Sequence, residues 1–175
     1  KAARFAKDYG LSPEEASAMS IERDLSDFFE AAVKAGSPPR KAANWIAAHL
    51  APALRERNAA IAGTPLTAER FAGLLCMLEK DVINSQSAKE VLNELLTIDA
   101  EPAEIIEKGG YRQVSNSSEL EALIEKIIAE HPSDVADYQK GNAKVLGFLM
   151  GIAMKASKGK ANPKLLKEML AKRLA

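Results

Sequence analysis

The chain has 175 residues with 24 basic and 24 acidic side chains, no net charge, and a single cysteine. That length accommodates one sizeable domain or two small ones, and Cys76 has no partner for an internal disulfide, which fits a reducing, cytoplasmic setting. No run approaches the roughly 20 apolar residues of a membrane span, and no basic segment leading into an apolar core marks a signal peptide, so no membrane contact is expected.

The first residue is Lys1, inside the helical pattern AARFAKDYG, so these residues are expected to be part of a longer protein. Apolar positions then recur at spacings of three and four, and Ala, Leu, Glu and Lys dominate, all of them good helix formers. Ser12-Pro13-Glu14-Glu15 and Ser87-Ala88-Lys89-Glu90 read as capping boxes, the first with Pro at the first helical position. Glu101-Pro102, Ser117-Ser118, Pro132-Ser133 and Asn162-Pro163 mark further helix starts. Stops fall at Gly36, Gly63, Gly109-Gly110, Gly141 and Gly159. About nine or ten helices with short connections result, and the fold class is all-α.

Long amphipathic stretches at 25–33, 42–54 and 71–83 point to a helical bundle over residues 1–108. Gly109-Gly110-Tyr111 opens a smaller tail domain over 109–175, built of three or four helices. Trp45 is expected in the bundle core, with Ala42, Ala43, Ala47 and Ala48 letting another helix come close. Cys76, among Leu74, Leu75, Met77 and Leu78, is expected to be a buried, inert thiol.

Few chemical motifs are present. His49 and His131 have no ligand-spaced partner, so no metal site is expected, and His131 before Pro132 reads as a helix cap. Glu14-Glu15 serve the positive end of a helix dipole rather than acid–base chemistry. Gly151 and Gly159-Lys160-Ala161 lack phosphate-loop spacing, and Ala161 stands where a magnesium-binding Ser or Thr is needed. No catalytic residue is assigned.

Charge singles out the C-terminal end. From Lys140 onward there are nine Lys or Arg and one acid, Glu168, a balance of +8; the preceding 139 residues carry −8. Such a separation points to a surface for an anionic partner. Ala143, Gly147 and Gly151 fall four residues apart on one helix face with almost no side chain, although glycine costs about 1 kcal/mol of helix propensity against alanine. Close approach by a neighbouring helix is the first expectation for them, and by a nucleic-acid backbone the second. Lys144, Lys155, Lys158, Lys160 and Lys164 accompany this helix and the turn after it. Asn162-Pro163 restarts the chain, and its backbone N–H groups together with the lysines are expected to form an anion site for phosphate.

The run GFLMGIAMKASKGKANPKLLKEML resembles the end of the B-subunit family of aspartyl/glutamyl-tRNA amidotransferases, whose pattern is Gly-Phe-Leu-x-Gly-x-x-Met-Lys-x-[Ser/Thr]-Lys-Gly-Lys-Ala-Asn-Pro. Gly147, Phe148, Leu149, Gly151, Met154, Lys155 and the run from Ser157 to Pro163 all fit it. Tyr9-Gly10-Leu11, Asp27-Phe28-Phe29-Glu30, Ala43-Asn44-Trp45-Ile46 and Ser87-Ala88-Lys89 follow the family's order upstream. The shorter YqeY-like proteins share only the C-terminal region. Gly109-Gly110-Tyr111, where Gly-Leu is common, and Ile152-Ala153, where Gln-Val is more usual, depart from the pattern.

The resemblance implies a helical domain followed by a tail that contacts the outer body of tRNA(Gln) or tRNA(Asn), through Lys144, Lys155, Lys158, Lys160, Asn162 and Lys164. It implies a ligase in which the A subunit frees ammonia from glutamine, the B subunit phosphorylates the misattached Glu or Asp, and a C subunit completes the assembly. ATP and magnesium belong to the family's N-terminal domain, so no cofactor is expected on these residues. The alternative is a protein-interaction module of YqeY-like type without RNA contact.

Overall fold

The computed structural model describes residues 1–114 and 117–175. Among the described residues the regular structure is helical, apart from one isolated bridge between Val114 and Ala161. The all-α expectation is met. Eleven helices are present among these residues when the contiguous segments from Pro39 to Glu56 are taken as one, against nine or ten expected. One extra break lies at Glu22, whose extended backbone (φ −102°, ψ 120°) separates two helices without a glycine or proline to announce it.

Two compact units are formed. The first comprises Lys1–Lys80 and Ala88–Tyr111. It contains α1 (Ala2–Tyr9), α2 (Pro13–Ile21), α3 (Arg23–Lys34), α4 (Pro39–Trp45), α5 (Ala51–Glu56), α6 (Ala68–Glu79), most of α7 (Ser85–Leu95) and α8 (Pro102–Gly109). Ser12 accepts a hydrogen bond from the Glu15 N–H while the Glu15 carboxylate accepts one from the Ser12 N–H, so the capping box at α2 is real. Phe5, Phe29, Ile46, Leu50, Phe71, Leu74 and Leu75 are fully buried and form the centre. Phe5 and Tyr9 close on Phe29, with ring centroids 5.3 and 5.2 Å from it.

The stretch 42–54 is not one regular helix. Between α4 and α5 a π turn (Ile46–Leu50) intervenes, with the Ala51 N–H donating to the Ile46 carbonyl. Pro52 follows directly. It has no N–H to give the preceding turn, and a widened turn relieves the clash of its ring with that turn. Trp45, Ala42 and Ala43 are buried as expected, whereas Ala47 and Ala48 are not buried and bring no helix close. Cys76 is exposed, against expectation. Phe71, Ala72, Leu74 and Leu75 already occupy the inward arc of α6, and position 76 turns out past them.

The departure at Gly109-Gly110-Tyr111 explains itself. The Tyr111 ring lies where a Cβ at position 109 would collide with it, and the Tyr111 hydroxyl donates to Glu94 at 2.5 Å. A tyrosine at 111 therefore requires the glycine at 109. That hydrogen bond, with burial adding to it, pushes the Tyr111 phenol up to about 12.

The second unit comprises Asp81–Ser87 and Arg112–Ala175. Its helices are α9 (Ser117–Glu130), α10 (Pro132–Gln139), α11 (Lys144–Ala156) and α12 (Pro163–Leu174). The core is made by spacings of three and four: Leu120, Ile124 and Ile127 from α9; Val145, Leu149 and Ala153 from α11; Leu166, Leu170 and Leu174 from α12. Ala161 joins them from the turn. The expected start of α7 is corrected: the helix begins at Ser85, and Asn84 rather than Ser87 caps it, its side-chain oxygen accepting from the Ser87 N–H at 2.9 Å. His131 sits at the start of α10 but makes no side-chain cap; its Nδ1 lies 3.5 Å from Asp134.

Candidate nucleic-acid interface

The site grows from the way α11 ends. After Ala156 the chain enters left-handed backbone at Lys158 (φ 53°) and again at Gly159 (φ 74°). The Gly159 N–H returns to the Met154 carbonyl at 2.7 Å and the Lys158 N–H to that of Lys155 at 3.0 Å, closing the helix end. Ser157 donates from its hydroxyl to the Met154 carbonyl and accepts the Ala161 N–H at 3.2 Å, which folds the turn back on the helix.

Two further braces come from distant sequence. Val114 donates to the Lys160 carbonyl at 2.7 Å and accepts the Asn162 N–H at 3.1 Å, a one-residue parallel bridge. Asn84, only 6 % exposed, turns its amide NH₂ to the carbonyls of Gly159 and Ala161 while its oxygen caps α7. Carbonyls only accept and the Ser87 N–H only donates, so the chemistry allows one orientation of this amide. Sequence reading does not single out Asn84. Its one signal, an Asn just ahead of a helical pattern, is masked by the better-looking box at Ser87.

At the restart, Asn162 caps α12, its oxygen accepting from the N–H groups of Lys164 (3.1 Å) and Leu165 (3.2 Å). Pro163 has no N–H, and the Leu166 N–H goes to the Asn162 carbonyl. The expected backbone anion pocket at this helix start is therefore already filled by the chain's own cap. Any phosphate here must be held by lysine side chains.

Those side chains are available. Lys144, Lys155, Lys158 and Lys164 are exposed and Lys160 is half-buried. Among the described residues none of the five enters an ion pair, in contrast to Arg173, which reaches Glu125 at 2.7 Å. Lys155, Lys158, Lys160 and Lys164 gather around the turn. Lys144 stands apart, about 16 Å up the α11 axis from Lys155 at 1.5 Å per residue. The second unit as a whole carries eleven bases against eight acids, so its positive charge is concentrated on α11, the turn and α12 rather than spread over it.

The small-residue stripe also needs correction. Ala143, Gly147 and Gly151 are exposed, and a Cβ added at either glycine would meet nothing within 4 Å. Among the described residues no helix packs there. The stripe that does pack, Val145-Leu149-Ala153, has the same spacing but is offset by two residues, about 200° around the helix. The outer face of α11 thus presents bare backbone, two lysines and Phe148, which is 53 % exposed.

Among the described residues no group of three or more His, Cys, Asp or Glu side chains could hold a metal ion, and no helix is long and apolar enough to cross a membrane.

Comparison with known proteins adds a family. A model described as the GatB domain matches residues 27–174. The chain is 45 % identical over 174 residues to a B subunit (numbered 1) of the aspartyl/glutamyl-tRNA(Asn/Gln) amidotransferase of Syntrophus aciditrophicus, covering 99 % of this chain and 36 % of that protein. It is 38 % identical over 174 residues to the corresponding B subunit of Thermosynechococcus vestitus, covering 99 % of this chain and 35 % of that protein. It is 38 % identical over 175 residues to that of Clostridium beijerinckii, covering the whole chain and 36 % of that protein. The chain spans about a third of the length of these relatives.

Proposed function

The chain belongs to the GatB-domain family, and from that premise we propose that it is the tRNA-binding region of an amidotransferase B subunit. The observation that carries this reading is the braced turn at Lys158-Gly159-Lys160, which holds unpaired lysines beside an open helix face. Three separate braces fix a loop whose projecting groups are cationic, an arrangement suited to a polyanion of fixed shape. Recognition is of phosphates and shape rather than base sequence, because duplex RNA hides its base edges in a groove that side chains cannot read.

The whole protein, on this reading, converts misacylated Glu-tRNA(Gln) or Asp-tRNA(Asn) to the amide with glutamine as donor, through a phosphorylated aminoacyl intermediate. A and C subunits are its partners, in the cytoplasm. ATP and magnesium act elsewhere in the longer protein, and no reaction step is assigned to the residues of this chain. Their part is to hold the tRNA body while the aminoacyl end is processed at a distance.

The test is a salt titration of tRNA binding by the chain. Three to five phosphate contacts give a log–log slope of about −2 to −5. Replacing both Lys158 and Lys160 by alanine is expected to weaken binding by about tenfold, reduce the slope by about 1 to 2, and leave melting within about 0.5 kcal/mol of wild type. A salt-independent interaction would refute RNA binding and favour the protein-interaction module. Early unfolding of the double variant, with normal binding when folded, would make the turn purely structural.

A further inference from the structure

Among the described residues Phe148 is the large apolar side chain of α11 that is exposed, at 53 %, although Leu149 beside it is fully buried. Its one ring contact among the described residues is with His131, edge-on at 6.1 Å and 86°, which steadies the ring without covering it. On the same helix a Cβ added at Gly147 or Gly151 would meet nothing within 4 Å, so the backbone beside the exposed ring is open to close approach. Lys144 and Lys155 are exposed near either end of this face, and α11 contains no acidic residue.

A surface that offers a π face between two unpaired cations is complementary to a partner that offers a flat ring between phosphates. Folded RNA has both wherever a base is unpaired or left uncovered by the stack. An acidic protein would supply the charge, but it would leave the flat approach over Gly147 and Gly151 unexplained. We infer that Phe148 stacks on an uncovered base of folded RNA while Lys144 and Lys155 engage the flanking phosphates. This rests on the tRNA-binding reading above and adds to it a contact that is not electrostatic.

The experiment measures equilibrium binding of tRNA by the full chain across a range of salt, with Phe148→Ala, Phe148→Leu and Phe148→Trp, and with the Lys158/Lys160 double-alanine variant alongside. A fully paired RNA duplex serves as a second probe. Loss of one stacked base weakens binding by about five- to 150-fold on alanine substitution. Phe148→Ala and Phe148→Leu should both show this loss with tRNA, because leucine keeps apolar bulk and lacks the π face. Their salt slopes should match wild type, since no charge is removed. Phe148→Trp should bind at least as tightly as wild type, with its emission quenched on binding. Duplex binding should be the same for all three. Thermal melts of each variant verify that the fold is kept, as exposure of the ring leads one to expect.

If Phe148→Ala binds tRNA like wild type while the lysine variant does not, the stacking inference falls and the tRNA-binding reading stands. Full rescue by leucine would mean a merely apolar contact and overturns it too. A changed salt slope would show that the substitution acts through the lysines, and the inference would fall on that ground as well. If the wild-type chain itself binds tRNA without salt dependence, or not at all, both readings fail together.

Discussion

Asn84 joins two functions in one amide, and aspartate separates them. Asn84→Asp keeps an oxygen for the Ser87 N–H, so the cap of α7 survives, and a carboxylate at a helix start even gains about 0.3–1 kcal/mol from the helix dipole. It replaces the NH₂ with an oxygen aimed at the Gly159 and Ala161 carbonyls, at a position only 6 % exposed. Two hydrogen bonds of about 1 kcal/mol each are lost, and unsatisfied buried acceptors add about 1–3 kcal/mol. The expected net destabilisation is about 2–4 kcal/mol. Asn84→Ser, which retains a capping oxygen and brings no buried charge, should lose less.

The aspartate has a signature of its own. Crowded by carbonyl oxygens and desolvated, its folded pKa must lie above its unfolded value, so its destabilisation is largest when it is ionised and shrinks as pH falls through the folded pKa. Protonated, it can again donate to a carbonyl. Chemical denaturation of wild type and Asn84→Asp from about pH 4 to 8 reads this directly as a narrowing gap on the acid side. The tRNA titration should show weaker binding and a shallower salt slope at neutral pH, because the lysines of the turn are no longer held in place. Equal stability of the two proteins at the alkaline end, or parallel pH profiles with a constant gap, would refute the view that Asn84 braces the turn.

Two other outcomes follow from the geometry. Gly147→Leu or Gly151→Leu meets open space and improves helix propensity by about 0.5–1 kcal/mol, so melting should rise or hold while tRNA binding weakens by about tenfold or more; a drop in melting temperature would mean the face is packed after all. Tyr111 has a folded pKa raised to about 12 from an ordinary 10.0, so the stability gained from its bond to Glu94 is complete below about pH 10 and is lost as pH rises from there towards 12. Tyr111→Phe should therefore be less stable than wild type near neutral pH, with the gap closing in alkaline denaturation curves above about pH 10; a gap that stays constant to about pH 12 would show the bond to be absent.

Local signals are the legible part of this chain. The starts at Ser12-Pro13, Glu101-Pro102 and Asn162-Pro163, and the left-handed glycines at 110, 141 and 159, fall where the sequence marks them because each depends on a few adjacent residues. What resists reading depends on choices between equivalent patterns. Helix α11 carries two stripes of four-residue spacing, and only packing decides that Val145-Leu149-Ala153 is the inner one. Ser87 and Asn84 both offer a cap, and Asn84 wins because its NH₂ also has partners 75 and 77 residues away. The anion pocket at α12 is missing for a simpler reason: Asn162, counted as part of the site, satisfies the N–H groups that the site was to use. The π turn before Pro52 has no periodicity long enough to register in a sequence.

Lys158 holds a left-handed backbone that glycine would adopt freely, at a cost of about 1 kcal/mol for any residue with a Cβ. The replacement that relieves this strain is also the one that deletes a cation from the turn. On the tRNA-binding reading, selection for heat resistance and selection for grip on a polyanion act on this position in opposite directions, and a lineage kept at high temperature could not relax the loop here without loosening its hold. Such a lineage would have to gain its stability at sites the ligand does not touch.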